Sequence, residues 1–339
     1  MPSNDIGIDL GTATVIVYDK QDGLLLREPS VIAVDTRTGN IIAAGEEAHD
    51  MLGRTPDRIR AEMPLVDGVI SDFEMTREMI AYFIRKVYPN SLIKPRIVVC
   101  VPSGVTGVEA NAVVSAAVSA GARKVFLIEE PVAAAIGAGI DITKPEGHII
   151  LDIGGGTSDI AVLSLSGVVC KTSVRMAGRK LNEAIVKYVR RKYNLLIGDR
   201  MAENAKIACG SVCFTPDEDC EIVVKGRNLN TGLPGKQVVT RAELYEALVD
   251  PVESIVSAVC RILETTPPEL AADIHRNGLI MTGGGSLLHG LDRLLHERTK
   301  LDVHIAENPA ECVAKGTAAA FDYADQLVDG FVKSSSYLK

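Results

Sequence analysis

Apolar, β-branched runs that close on glycine alternate along this chain with segments whose apolar positions recur every three or four residues. Runs at 6–10, 15–19, 30–35, 97–101, 124–128, 149–153, 160–165 and 279–282 have strand character. Between them, 77–87, 106–120, 132–139, 179–193, 242–263 and 310–323 have helical spacing. In 179–193 the stripe Leu181, Ala184, Ile185, Tyr188 and Val189 falls on one face of a helix. Thr106 with Glu109 forms a capping box ahead of a small-residue helix. Strands alternating with helices predict an α/β protein with largely buried sheets.

The chain also nearly repeats itself. Ile8-Asp9-Leu10-Gly11-Thr12 recurs as Leu151-Asp152-Ile153-Gly154-Gly155-Gly156-Thr157, the two Asp lying 143 residues apart. Each copy is an apolar strand ending in Asp, a glycine-rich turn with Thr, and a second strand. A period this long is no solenoid; it predicts two similar α/β lobes, each presenting a hairpin turn to a shared cleft.

Such turns aim backbone N–H groups at one point, which suits phosphate. A carboxylate beside each turn would repel that phosphate unless a cation stood between them. A hydrated Mg²⁺ fits the role, with Asp9 and Asp152 holding its waters. A third glycine run, Gly283-Gly284-Gly285, adds to the nucleotide reading. Glu129-Glu130-Pro131 follows the strand at 124–128 and opens an alanine-rich helix with Pro131 at its first position. A carboxylate there is rigidly placed to orient water, although acids at helix starts also serve the helix dipole.

Composition removes other classes. The chain has 339 residues, 47% hydrophobic and 24% charged, enough for a sizeable core over two lobes. Its 36 Lys+Arg against 44 Asp+Glu give −8, which argues against nucleic acid as a partner. Trp is absent and aromatics are 4%, so no base-stacking platform is expected. The odd count of seven Cys, no Cys-x-x-Cys pair and no basic–apolar leader predict reduced thiols in a cytoplasmic protein. No stretch reaches the ~18 apolar residues of a membrane span.

Taken together, Gly7-Ile8-Asp9-Leu10-Gly11-Thr12, Glu129-Glu130-Pro131-x-Ala133-Ala134-Ala135-Ile136-Gly137, Asp152–Thr157 and Thr282-Gly283-Gly284-Gly285 resemble the actin and heat-shock-chaperone ATPase superfamily. Arg27-Glu28-Pro29-Ser30-Val31, Met51-Leu52-Gly53-Arg54-Thr55-Pro56, Asp67-Gly68-Val69-Ile70-x-Asp72-Phe73 and Val224-Lys225-Gly226-Arg227-Asn228-Leu229 resemble, within it, the MreB family of bacterial actins. The similarity runs from about residue 5 to 323.

The resemblance implies an actin-like ATPase fold of four subdomains around ATP–Mg²⁺. One core would comprise 1–32, 67–140 and 315–339, with a small subdomain at 33–66. The other would comprise 141–177 and 240–314, with a small subdomain at 178–239. It implies that Glu130 and Thr157 orient and polarise the hydrolytic water. Thr12, Ala13 and Thr14 would form the first phosphate loop. Glu203 and Lys206, by spacing alone a surface i, i+3 ion pair, would contact the nucleoside, and Gly283–Ser286 would lie near the adenosine. It also implies polymerisation into filaments that organise cell-wall synthesis and determine cell shape, with wall-elongation proteins as partners.

Four positions depart from the family's pattern. Thr14 stands where Asn is common, Asp159 where Glu is, and Arg179 and Asn182 where acids are. The last two point to altered hydrolysis. At 89–95, Leu92 and Ile93 lie between prolines beside Arg85, Lys86, Lys94 and Arg96, a combination suited to an anionic bilayer. Burying both side chains would contribute about 3–6 kcal/mol, so many copies along a filament would be needed for firm attachment at the cytoplasmic membrane. No amphipathic helix precedes Ile6, so the loop would carry attachment alone. Two other functions fit the motifs: a non-polymerising ATPase or kinase, and a nucleotide-dependent scaffold with little turnover. A chaperone would need an appended substrate domain, for which the 16 residues after Tyr323 leave no room.

Overall fold

Two sheets with one shared strand order form the centre of the molecule. The computed structural model describes residues 5–89, 94–323 and 331–333. The first sheet contains β1 (Asp5–Leu10), β2 (Thr14–Asp19), β3 (Gly23–Pro29), β4 (Arg96–Val101) and β5 (Lys124–Glu129) in the order β3-β2-β1-β4-β5, with Phe331–Lys333 added beyond β5. The second contains β6 (His148–Ile153), β7 (Ser158–Ser164), β8 (Gly167–Val174), β9 (Leu279–Thr282) and β10 (Val303–Ile305) in the order β8-β7-β6-β9-β10. In each, the central strand runs antiparallel to its hairpin partner and parallel to the strand on its other side. The repeat in the sequence is therefore a repeat in topology. The inner strands of the second sheet are buried almost throughout because helices cover both faces.

The helices that matter for the cleft are α1 (Phe73–Val87), α2 (Gly107–Ser119), α3 (Glu130–Gly137), α4 (Gly178–Tyr193), α5 (Asp199–Cys209), α6 (Arg241–Thr265) and α7 (Cys312–Tyr323). Helix α2 opens with the expected capping box, Thr106 and Glu109 satisfying each other's backbone N–H groups. Helix α1 starts four residues earlier than its apolar stripe predicts. The Asp72 carboxylate caps it by accepting from the Met75 N–H at 3.0 Å.

Helices α3 and α7 cross between the two sheets, touching both lobes. A methyl group added at Gly316 would come closer than 3.0 Å to the Ala133 carbonyl, and one at Gly137 would collide with the Cys312 carbonyl. The backbones therefore meet with no side chain between them. One apolar cluster spans this crossing, joining Val98 and Ile128 of the first sheet to Ile150 and Ala161 of the second.

Two smaller sheets flank the core. Ile32–Asp35, Ile41–Ala44 and Ile59–Glu62 form one, beside the helix Glu46–Met51; Leu195–Ile197, Glu221–Asn228 and Pro234–Thr240 form the other, beside α5. They meet where Arg200 of α5 pairs with Asp50 of the short helix at 2.7 Å. Both side chains are about half exposed, so the pair contributes little.

Two expectations are corrected. The thiols are not all reduced: Cys209, at the end of α5, is joined to Cys220 by a disulfide with Cα atoms 5.6 Å apart. The positive cluster near residues 92–93 is partly neutralised, since Lys86 pairs with Glu28 at 2.6 Å and Arg96 pairs with Asp5. Leu92 and Ile93 themselves lie outside the described residues.

Helices α4 and α6 are tied by one carboxylate. Burial raises the Glu243 pKa, but hydrogen bonds from Lys192, at 2.7 Å, and from Tyr193 outweigh it and bring it down to about 2. A folded-state pKa below the ordinary 4.5 stabilises the fold above that value, and the stabilisation is lost as pH falls toward 2. Glu243→Gln is expected to cost about 1–2 kcal/mol at pH 7, with Lys192's exposure screening the rest. The gap between variant and parent in urea unfolding should close as pH drops from 4.5 to 2.

Candidate functional site

The β1–β2 and β6–β7 hairpins point their turns at each other across a cavity of about 420 Å³. The first turn is held from behind by Ser30, whose backbone N–H donates to the Ala13 carbonyl at 2.9 Å and whose hydroxyl donates to the Gly11 carbonyl at 2.5 Å. The start of α4 holds the second turn, the Gly178 and Arg179 N–H groups donating to the Gly154 and Gly155 carbonyls at 3.1 and 2.9 Å. With the carbonyls engaged behind, the N–H groups of Thr12, Ala13, Gly155 and Gly156 have no hydrogen-bond partner among the described residues. The two turns approach so closely that a side chain at Gly155 would strike Ala13, and one at Gly156 would strike Thr12. Only glycine leaves this space open. A tight turn at Asp67-Gly68 closes one side, the Gly68 N–H donating to the Thr12 hydroxyl at 2.8 Å.

Four carboxylates gather around this point. Asp9 accepts from the Cys100 thiol at 3.1 Å, and burial raises its pKa to about 6. Asp152 accepts from the Thr282 hydroxyl at 2.7 Å, and burial raises its pKa to about 7. The two sit at equivalent positions of their lobes, each bonded to the neighbouring parallel strand. Glu130, at the start of α3, is pushed well up by burial and by the nearby Asp159, Asp152 and Asp9. Asp159 is fully buried on β7, where its carboxylate accepts from the Ser103 N–H at 2.8 Å. Among the described residues no Lys or Arg pairs with any of the four. Buried carboxylates that lack a counter-charge fit a site for a divalent cation whose waters they would hold.

The structure separates the adjacent pair at the α3 start. Glu129 turns away to Lys171 at 2.6 Å, whereas Glu130 lines the cavity. Asp9, Gly11, Thr12, Ala13, Thr14, Glu130, Asp152, Gly154, Gly155, Gly156, Thr157, Glu203, Lys206, Gly283, Gly284 and Gly285 all line it. Ser286 does not: it is fully buried, and its hydroxyl donates to the Gly283 carbonyl at 2.7 Å. Glu203 and Lys206 are not a solvated ion pair. Lys206 reaches under α4 to the Gly178 carbonyl at 3.0 Å, and burial lowers its pKa. Gly283 has φ +77, and its loop lies flat against the Ile153 backbone, which any β-carbon there would strike.

Sequence reasoning missed the apolar wall. Ile207 and Leu287 line the cavity while remaining 75% and 62% exposed, a paired apolar surface of the kind that covers a flat ring. The available signal was the face of α5, where Glu203, Lys206 and Ile207 fall at i, i+3 and i+4. Beside the second turn, the departures Arg179 and Asn182 each keep a buried polar atom without a partner, Nη1 and Oδ1.

Duplicated α/β lobes whose Asp-tipped hairpins converge on one cleft define an actin-like fold. Comparison with known proteins agrees. A model of the MreB/Mbl protein family matches residues 3–329. The cell shape-determining protein Mbl of Bacillus cereus is 50% identical over 328 residues, covering 96% of this chain and 98% of that protein. The cell shape-determining protein MreB of Escherichia coli K12 is 50% identical over 331 residues, covering 96% and 95%. The crystal structure of MreB5 of Spiroplasma citri bound to ADP superposes with a TM-score of 0.89 at 37% identity, covering 94% of this chain and 96% of that one. The chain belongs to the MreB/Mbl family.

Proposed function

We propose that this protein is an ATP-dependent, filament-forming actin homologue that determines cell shape from the inner face of the cytoplasmic membrane. The observation that carries the reading is the pair of mirrored hairpins meeting across one cavity, a carboxylate at the root of each. One relative, MreB5 of Spiroplasma citri, crystallised with ADP and with AMPPNP, supports a nucleotide in that cavity, and relatives named for cell-shape determination support the role.

In this reading the N–H groups of Thr12, Ala13, Gly155 and Gly156 grip the phosphates, with Thr14, Gly154 and Thr157 completing the two turns. Asp9 and Asp152 would hold Mg²⁺ through its waters, and the ion would supply charge neutralisation at the phosphates. Glu130 orients a water toward the terminal phosphate as general base, and Thr157 polarises it. Glu203 and Lys206 meet the nucleoside, Gly283–Gly285 lie under the base, and Ile207 and Leu287 cover its faces. The four-subdomain division at residues 32/33, 66/67, 140/141, 177/178, 239/240 and 314/315 belongs to the same proposal.

Filaments would present Leu92 and Ile93 repeatedly to anionic lipid, and wall-elongation proteins would dock on the assembled face. Electron microscopy of the purified protein on anionic liposomes tests the whole scheme. Filaments on the lipid with ATP–Mg²⁺, none without it, and detached filaments for Leu92→Ser/Ile93→Ser are expected. A particle that stays monomeric with ATP–Mg²⁺ would instead support a kinase-like enzyme. The orphaned Arg179 and Asn182 atoms favour a second reading, a scaffold with little turnover. It requires that single-turnover hydrolysis be no faster than ATP breakdown in buffer.

Nucleotide should also stabilise the fold. At a hundredfold excess over its dissociation constant, ATP–Mg²⁺ is expected to add about 2.7 kcal/mol, seen as a rise in melting temperature that chelation by EDTA reverses.

A further inference from the structure

We propose that Cys209 and Cys220 form a reversible thiol–disulfide switch that sets the affinity of the cleft for nucleotide. Cys209 ends α5, two residues past Ile207 and three past Lys206, both of which line the cavity. Cys220 lies next to the strand Glu221–Asn228, so the bond fixes the C-terminal end of the cleft helix to its neighbouring sheet.

The segment between the two cysteines is itself docked beside the third glycine run. The Val212 N–H donates to the His289 carbonyl at 3.0 Å, the Ser211 hydroxyl lies 2.9 Å from His289 Nδ1, and Arg293 donates to the Cys213 carbonyl at 2.8 Å. Residues 288–293 follow directly on Gly283–Leu287, which closes the cavity on that side. One covalent bond thus braces two walls of the cleft.

The pair is also suited to exchange. Cys220 is half-buried and reachable, whereas Cys209 is buried behind it. Cys100 and Cys312 are poor competitors, since both are buried and burial pushes their thiols up, Cys312 to about 11. In a thiol-rich cytoplasm such a bond is made and broken, not permanent. A low-molecular-weight disulfide RSSR is the oxidant. The Cys220 thiolate attacks one sulfur and expels RS⁻; the Cys209 thiolate then attacks Cys220 Sγ in the mixed disulfide and expels the second RS⁻. Two cysteine thiols are oxidised, RSSR is reduced, and the two protons leave with two RSH.

The coupling to affinity rests on the nucleotide reading above. The full chain, equilibrated with oxidised glutathione or with dithiothreitol, is assayed by thiol titration, peptide mapping and binding of a fluorescent ATP analogue with Mg²⁺. Titratable thiols should fall from seven to the five that stay free. The linked peptides should carry Cys209 and Cys220, and the oxidised form should bind at least about fivefold more tightly. Cys220→Ser, and Cys209→Ala as a second variant, should both bind like the reduced parent under either condition. A titre that stays at seven, a bond to Cys213 instead, or equal affinity of the two forms overturns the switch. If the titre falls but neither form binds nucleotide, the nucleotide reading fails and the disulfide chemistry stands.

Discussion

Replacing Glu130 with glutamine or alanine is expected to leave ATP–Mg²⁺ bound and to slow hydrolysis about a hundredfold or more, the scale of removing one preorganised catalytic group. Phosphate release under single-turnover conditions measures it. The two variants separate a chemical role from a structural one. Burial and three nearby carboxylates push the Glu130 pKa well up, so a neutral glutamine of the same shape is tolerated there. Its melting curve should stay within about 0.5 kcal/mol of the parent. Alanine removes volume from the α3 start and should melt earlier, yet lose no more activity than glutamine does. Unchanged phosphate release in both variants would remove Glu130 from the chemistry.

The second large effect is expected at the crossing of α3 and α7. Gly316→Val places a branched side chain against the Ala133 carbonyl, where even one carbon has no space. The helices must part, and both sheets rest on them. A cost of about 3 kcal/mol, or a fall in melting temperature of about 4 °C, is expected by calorimetry. Gly107→Ala is the control, because nothing lies within 4 Å of a β-carbon at that helix start. Equal melting of the two variants would show that the crossing can widen freely.

Much of this architecture could be read from local pattern. The duplicated Asp–Gly–Thr hairpin is a short-range signal, and it led directly to two similar lobes with facing turns. The Thr106 capping box was equally legible, since its partners are three residues apart. What was hidden depends on distant chain returning to one place. Glu129 and Glu130 are indistinguishable in sequence; Lys171, 42 positions on, is what draws Glu129 away. Lys206 belonged on paper with Glu203, but α4 passes overhead and offers the Gly178 carbonyl instead. Ser30 was legible only as part of the 27–31 stretch, which did not reveal that its two hydrogen bonds shape the first turn. The Cys209–Cys220 bond defeated the spacing argument for the same reason: an eleven-residue separation says nothing about where the chain turns back.

The hydrogen bond from Gly68 to Thr12 fixes the polarity of the cleft before any ligand arrives. A hydroxyl that already accepts from a rigid amide has its hydrogen to give. Under the nucleotide reading, Thr12 would meet a phosphate oxyanion as a donor set in advance.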